Sequence, residues 1–429
     1  MTVNSRLPGM RDLSIRERRV RVAQATAVEP KSLDVLDPER GLTIEQADHM
    51  VENAIGVLGI PLGVATNFIV NGRDHLVPMA TEEPSVIAAA SNAARIARIT
   101  GGFVTSVTEP LMRAQIQLLD VADPHAARLR LLEARGEVIA LANEQDPRLV
   151  HVGGGVRDVI VQLVETPAGT YVVLHLIVDV RDAMGANTVN TMAEAIADRV
   201  AEIARGRALL RILSNKADLR RCRARAVFDA AALGGGEVVD NILHAAALAV
   251  ADPYRAATHN KGILNGITAV VLATGNDTRA VEAGAHSHAI DRHGRYTSLS
   301  HYEKDTDGNL VGTLELPLAV GLVGGATKVH PVARAAVAML GVTTAGELGE
   351  IITAVGLAQN LAALRALATE GIQRGHMSLH ARNIAITAGA TPDELPLVVD
   401  RLTGDRLVRG EHAEQVLAEL RADREAGIR

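Results

Sequence analysis

The 429-residue chain has no tryptophan, only three phenylalanines and four tyrosines, and a single cysteine. So few aromatic rings leave no platform on which nucleic-acid bases stack. There is no basic excess either: 44 Lys and Arg face 50 Asp and Glu, a formal net charge of −6, so the electrostatic footprint of a nucleic-acid binder is missing. Cys222 has no second cysteine to pair with, which suits a reducing compartment. Apolar runs such as ILHAAALAVA and LPLAVGLVGGA fall short of the roughly 18 residues that a membrane span needs. The N-terminal stretch MTVNSRLPGMRDLSIRERR carries no apolar core of a secretory signal. The composition therefore points to a cytoplasmic protein with no nucleic-acid partner and no membrane span.

What is present is a regular alternation of elements. Thr43-Ile-Glu-Gln46 is a capping box and predicts a helix through Ile55. GVATNFIV and HLVPMAT flank Asn71-Gly72, the signature of a hairpin. Pro84 fits the first turn of a following helix, which Gly101-Gly102 stops. LMRAQIQLLDV alternates apolar and polar residues like a half-buried strand. Asp123-Pro124 then starts a helix that places Leu131, Val138 and Ala142 on one face. DVIVQLVET and TYVVLHLIVDV are joined by Pro167-Ala168-Gly169, a second hairpin. The next helix carries Met192, Ile196, Val200 and Ile203 at helical spacing, and ALLRILS closes the unit. That β-α-β-β-α-β order is the ferredoxin-like pattern rather than the parallel alternation of a doubly wound nucleotide fold. The expected class is α+β: a large mixed domain over 1–110 and 216–372, an inserted ferredoxin-like domain over 111–215, and a small helical C-terminal unit over 373–429. Thr391-Pro-Asp-Glu394 caps one helix of that last unit, EHAEQVLAELRAD forms another, and Gly371 and Gly375 bracket its entry as a hinge.

Several stretches concentrate chemistry. DAMGAN, residues 182–187, follows a strand and opens a helix, where free N–H groups and the helix dipole favour a pyrophosphate. A plain strand–helix turn with Asn187 as N-cap is the alternative, and on spacing alone it carries more weight. Glu82-Glu83-Pro84-Ser85 lies between a strand and a helix. An acid there complements the helix dipole, so acting as a proton donor near neutral pH requires burial or a second acid. Tyr254 to Gly262, YRAATHNKG, gathers Arg255, His259 and Lys261, suited to clasping a carboxylate and stabilising an oxyanion; a solvated basic loop is the competing reading. Asp277 reads as an ordinary cap. His376 and His380 share a helical face, but zinc needs a third ligand and the glutamate of HExxH is absent, so no metal is expected and an acid–base role fits better. Arginines beside Cys222 are positioned to lower its pKa, although a lone strand cysteine is more often inert.

Taken in order, EEPS, DAMGANTVNTMAE, DPYRAATHNKG, ATGND, LVGGATK and GHMSLHARN closely resemble 3-hydroxy-3-methylglutaryl-CoA (HMG-CoA) reductase, nearest its soluble, bacterial class II form. The resemblance covers nearly the whole chain. It implies a large substrate domain, an inserted ferredoxin-like cofactor domain, a mobile C-terminal flap, and a four-electron interconversion of HMG-CoA with mevalonate and CoA using two nicotinamide cofactors. By motif it places Glu83, Lys261, Asp277 and His376 in the catalytic set. Asp182, Ala183, Met184, Gly185, Ala186 and Asn187 fall in the cofactor loop. Ser85, Arg255 and Asn265 are implied at the HMG group, and Arg11 near the CoA phosphate. Asp146, read as ending the first helix of the small domain in ANEQD, occupies the place where class II relatives set an acid against the adenosine ribose; a carboxylate there accepts from a free 2′-OH and repels a 2′-phosphate, implying NAD(H). A homodimer, or an oligomer built of dimers, is implied as well. The alternative function is a non-catalytic acyl-CoA or nucleotide-binding protein of the same fold.

Overall fold

A capping box at Ser14, with Glu17 reaching back to it, starts α1 (Ile15–Thr26). The capping box read from the sequence at Thr43 and Gln46 is also formed, and it opens α2 (Ile44–Met50). That helix ends five residues before the expected Ile55: Val51 is already extended at φ −141°, and two glycines, Gly56 and Gly59, follow. The structure, a computed structural model, describes residues 3–37, 39–325, 329–369, 381–405 and 407–425.

The first hairpin forms as the sequence predicts. β1 (Leu62–Val70) and β2 (Arg73–Ala80) pair antiparallel around Asn71 and Gly72, whose φ values of 49° and 79° match a type I′ turn. α3 (Val86–Ala97) follows, with Gly101 and Gly102 closing its C-terminus. Pro84 lies outside this helix, in the turn before its N-cap Ser85, so it shapes the entry rather than the first turn. β3 (Phe103–Val107) pairs parallel with β1 and antiparallel with the later strand Arg221–Phe228.

The chain then leaves for the second sheet. β4 (Leu111–Leu119) buries Met112, Ala114, Ile116 and Leu118 in strict alternation. The helical stretch that follows is three pieces, α4 (Pro124–Glu133), α5 (Arg135–Asn143) and α6 (Pro147–His151), rather than one. β5 (Gly155–Thr166), β6 (Gly169–Asp179), α7 (Ala186–Ala204) and β7 (Arg207–Leu213) complete the unit. Its sheet order is β5-β6-β4-β7, with every neighbouring pair antiparallel, which is the ferredoxin-like arrangement. Its core of Leu131, Val138, Leu174, Met192, Ile196 and Val200 is separate from that of the larger sheet.

The chain returns at β8 (Arg221–Phe228), directly beside β3, and Thr108 donates its N–H to the carbonyl of Arg221. Exit and re-entry on neighbouring strands explain how a whole unit fits here without opening the larger sheet. α8 (Ala230–Leu233), α9 (Gly236–Ala251), α10 (Pro253–Ala273), α11 (Thr278–His288), β9 (Ser300–Lys304) and β10 (Leu310–Pro317) follow. The six-stranded order is β2-β1-β3-β8-β10-β9. α12 (Pro331–Leu340) packs on the N-terminal helices, and α13 (Ala345–Ala368) runs through the core. α13 corrects the reading of apolar lengths: it has 24 residues and a mean hydropathy of 1.5, enough to cross a membrane by length and composition. Two-thirds of that stretch is buried inside the protein, against α3, α10 and β8, so it is a core helix. Leu348, Ile351, Ile352, Leu357 and Leu361 are fully covered, each worth about 1.5–3 kcal/mol of burial.

At the C-terminus α14 (Leu395–Gly404) and α15 (Gly410–Glu425) enclose a small core of Ala381, Ala385, Val398, Leu402, Ala413 and Val416. Thr391 donates its N–H to Glu394 in the turn before α14, whose N-cap is Glu394 itself without a side-chain cap bond rather than Thr391, and Arg421 clasps the Glu394 carboxylate. The hinge glycines Gly371 and Gly375, and both His376 and His380, lie outside the described residues.

Candidate active site

The basic stretch around Lys261 is not a loop. It sits inside α10, started by Pro253 behind the Asp252 cap, whose Oδ2 accepts from the Arg255 N–H at 2.7 Å. With about 100° between successive residues, His259 and Asn260 turn into the core while Lys261 and, one turn on, Asn265 face outward. His259 Nε2 lies 2.7 Å from Ser300 Oγ and 3.2 Å from Asn360 Nδ2, and Tyr302 donates to Asn360 Oδ1 at 2.9 Å. Burial first, then the charge of Arg255, pushes the His259 imidazole down to about 4, so it packs as a neutral ring. This buried network fixes the rotation of α10 and with it the direction of Lys261.

Opposite that face lies the turn between β2 and α3. Glu83 donates its N–H to Thr81 Oγ1 at 3.1 Å, and Ser85 adopts φ 73°, a left-handed conformation that is costly for a non-glycine residue. The turn projects the Glu83 carboxylate toward α10: Oε2 is 3.3 Å from Lys261 Nζ and 3.4 Å from Asn265 Nδ2. Three of the residues singled out by motif therefore meet. Ser85 is two residues away along the same turn. Arg255 lies two turns earlier on α10, half-buried, with no hydrogen bond from its guanidinium among those described.

Asp277 behaves as the cap the sequence suggested. Its Oδ1 accepts from the N–H groups of Arg279 at 2.9 Å and Ala280 at 3.2 Å at the start of α11. Among the described residues no hydrogen bond joins it to Lys261 or Glu83. Arg11 is exposed on a one-turn helix near the N-terminus, where its carbonyl accepts from Arg18. Of the two readings of Cys222 the inert one holds: it is buried on β8, and burial pushes its thiol up to about 12.

The second cluster surrounds DAMGAN. The N-cap of α7 is Gly185, at φ 99°, not Asn187, which is an exposed residue of the first turn. A Cβ at Gly185 would also lie 2.7 Å from Val180, so only glycine fits. Asp182 faces away from the helix start: its Oδ1 accepts from the Ala345 N–H at 2.8 Å, tying the loop to the start of α13. Its carbonyl accepts from Leu322, and Ala183 bridges to Val323. Asp146 does not end the first helix of the unit but caps α6, accepting from the Leu149 N–H at 2.9 Å. Its other oxygen accepts from Thr188 Oγ1 at 3.4 Å, which places this acid beside the open start of α7. A half-exposed carboxylate next to unpaired helix N–H groups and a glycine turn is a donor and acceptor set that fits a dinucleotide: amides for pyrophosphate, acid for ribose.

Spacing did not reveal two features. Arg220 is buried beneath the DAMGAN loop, and the His259 network spans residues about 100 positions apart. Only the resemblance singled out the Lys261–Glu83 pairing, because the two lie 178 residues apart.

The family model for hydroxymethylglutaryl-coenzyme A reductase matches residues 14–381. A 3-hydroxy-3-methylglutaryl-coenzyme A reductase from Archaeoglobus fulgidus is 53% identical over 420 residues, covering 98% of this chain and 96% of its own length. A protein from Borreliella burgdorferi described as a probable reductase of the same kind is 35% identical, over 78% of this chain and 77% of its own. Among solved structures, the reductase from Streptococcus pneumoniae superposes with a TM-score of 0.82 at 39% identity, over 96% of this chain and 99% of that one. The same organism's class II enzyme bound to NADPH in open conformations gives 0.81 at 40% identity, over 95% and 100%.

Proposed function

This chain belongs to the hydroxymethylglutaryl-coenzyme A reductase family, and on that premise we propose that it interconverts HMG-CoA with mevalonate and CoA in two successive two-electron steps. The observation that carries this is the meeting of Lys261, Glu83 and Asn265 within 3.4 Å, from elements far apart in sequence. A nicotinamide dinucleotide held by the amides at the start of α7 and by Asp146 would supply the hydride for each step.

The chain's own groups handle charge and protons. Lys261 stabilises the negative charge that develops on the thioester oxygen, forming a hemithioacetal. Collapse of that species breaks the C–S bond and releases a thiolate, which His376 as an imidazolium protonates; an ordinary imidazole pKa of about 6.5 lies within about two units of a thiol's. Glu83 then gives a proton to the carbonyl oxygen of enzyme-bound mevaldehyde as it is reduced. Asp277, at the start of the helix after α10, couples electrostatically to this pair. Ser85, Arg255 and Asn265 hold the HMG carboxylate and hydroxyl, and Arg11 meets the CoA phosphate. On this reading the substrate lies on the large sheet, the cofactor on the ferredoxin-like unit, and the C-terminal unit acts as a flap carrying His376.

Asp146 selects NAD(H) over NADP(H), since its carboxylate beside α7 repels a 2′-phosphate. The working unit is a cytoplasmic homodimer. In support, residues 50–61 present Val57, Leu58, Ile60 and Ile55 to solvent, the last completely, and apolar residues so grouped are what a partner surface covers. Steady-state rates of the purified protein in both directions, with both cofactors, test the proposal. Turnover of HMG-CoA with NADH exceeding that with NADPH supports it; no turnover with either refutes it.

A further inference from the structure

Arg220 is 5% exposed, immediately before β8, and among the described residues it forms no ion pair. Its guanidinium is satisfied by backbone carbonyls instead. Nη1 donates to the carbonyl of Ala183 at 2.9 Å and to that of Met184 at 3.3 Å, while Nη2 donates to the carbonyl of Val320 at 2.5 Å. Burial lowers the group only to about 10, so it remains charged at neutral pH. The carboxylates of Asp182 and Asp179 act on it only at a distance, without an ion pair, and burying a cation in that way is costly. Here that cost falls directly behind the loop at the start of α7.

We propose that Arg220 is the positioning residue of the dinucleotide loop, collecting the carbonyls of Ala183 and Met184 so that the loop turns N–H groups and positive potential toward the cofactor's pyrophosphate. This rests on the cofactor reading above and deepens it. The argument is geometric. A trans peptide is planar, with C=O and N–H on opposite sides, so holding the Met184 carbonyl on Arg220 turns the Gly185 N–H away from it. That N–H joins those of Ala186, Asn187 and Thr188, which are unpaired by the ordinary geometry of a helix start. A carbonyl flipped the other way would present a partial negative charge to an anion. The third bond, to Val320, fastens the loop to the large-sheet side. Gly321 lies so close that a Cβ there would be 2.4 Å from the Met184 nitrogen. Arg220 therefore sets the loop's conformation and adds a fixed positive charge behind the pyrophosphate without touching it.

The test is titration of wild type, Arg220→Met and Arg220→Lys with NADH and NADPH, followed by cofactor fluorescence, and separately with HMG-CoA. Arg220→Met keeps the length and removes donors and charge; its dinucleotide Kd should rise about tenfold or more, with HMG-CoA affinity within about twofold. KM for the dinucleotide should rise in parallel, while kcat at saturating dinucleotide stays within about threefold of wild type. Arg220→Lys should fall between the two. Should the Met variant not fold, the Lys variant carries the test, with faster amide hydrogen exchange at 184–188 than in wild type. Equal weakening for both ligands, or dinucleotide affinity unchanged in a folded variant, overturns the assignment. Wild type that binds neither dinucleotide overturns the cofactor reading instead, so the two failures are told apart.

Discussion

Replacing Lys261 by Met separates a catalytic ammonium from a surface ion pair. Lys261 Nζ and Glu83 Oε2 are 3.3 Å apart, but their side chains are 63% and 37% exposed. At that distance two charges in water attract by only about 1 kcal/mol, and exposed pairs give about 0–1 kcal/mol once side-chain entropy is counted. Met keeps most of the apolar stem. The folded protein should therefore lose at most about 1 kcal/mol, a shift in Tm of about 2 °C for a chain this long. A donor aimed at a developing oxyanion is worth much more, roughly 3–4 kcal/mol or a 100- to 1000-fold fall in kcat. Calorimetry and steady-state kinetics on the same preparation check both halves. A variant that keeps more than a tenth of wild-type kcat, or loses activity only in step with a large drop in Tm, refutes the assigned role.

Asp146→Ala should narrow the preference for NADH over NADPH, read as the ratio of kcat/KM values; an unchanged ratio contradicts the ribose assignment. His376→Gln should impair thiol release from HMG-CoA far more than reduction of added mevaldehyde, whereas equal loss in both assays removes its role as donor to the thiolate. His259 is held neutral, with its folded pKa near 4 and below the unfolded value of about 6.5. The unfolded chain binds the extra proton, so stability is full above about pH 6.5 and falls as pH drops toward 4, by roughly 3 kcal/mol in all. Melting temperatures across that window should decline more steeply in wild type than in His259→Gln, and parallel curves contradict this. Cys222, with its thiol pushed up to about 12 and its side chain buried, should resist alkylation at pH 8 until the protein is unfolded. Rapid labelling of native protein contradicts that.

Local signals in the sequence translated well into structure. Asn71-Gly72, the alternation in β4, and the apolar face of α7 each specify an element through interactions between near neighbours, and the ferredoxin-like order followed from them. Errors arose where tertiary context decides. Gly185 displaced Asn187 as cap because only glycine fits against Val180 at a positive φ. YRAATHNKG reads as a polar loop unless one knows that α13 and β9 cover its His259 and Asn260 side. Cys222 is the inert strand cysteine that carried more weight in the sequence, because alternation along β8 puts it on the inner face and its arginine neighbours outside. Arg220 gave no local signal, since its partners are carbonyls contributed by the loop and Val320. As for the site, motif order supplied the residues and folding supplied their meeting. Glu83, Lys261 and Asn265 converge in the structure, whereas Asp277 is bonded to its own helix.

The central claim is a four-electron reduction at one site, and its most direct measurement is stoichiometry. With limiting HMG-CoA and excess reduced dinucleotide, the absorbance of the reduced cofactor and the free CoA thiol are followed in the same cuvette to completion. The account predicts two dinucleotides oxidised for each thiol released. One dinucleotide per thiol, or oxidation without any thiol, contradicts it.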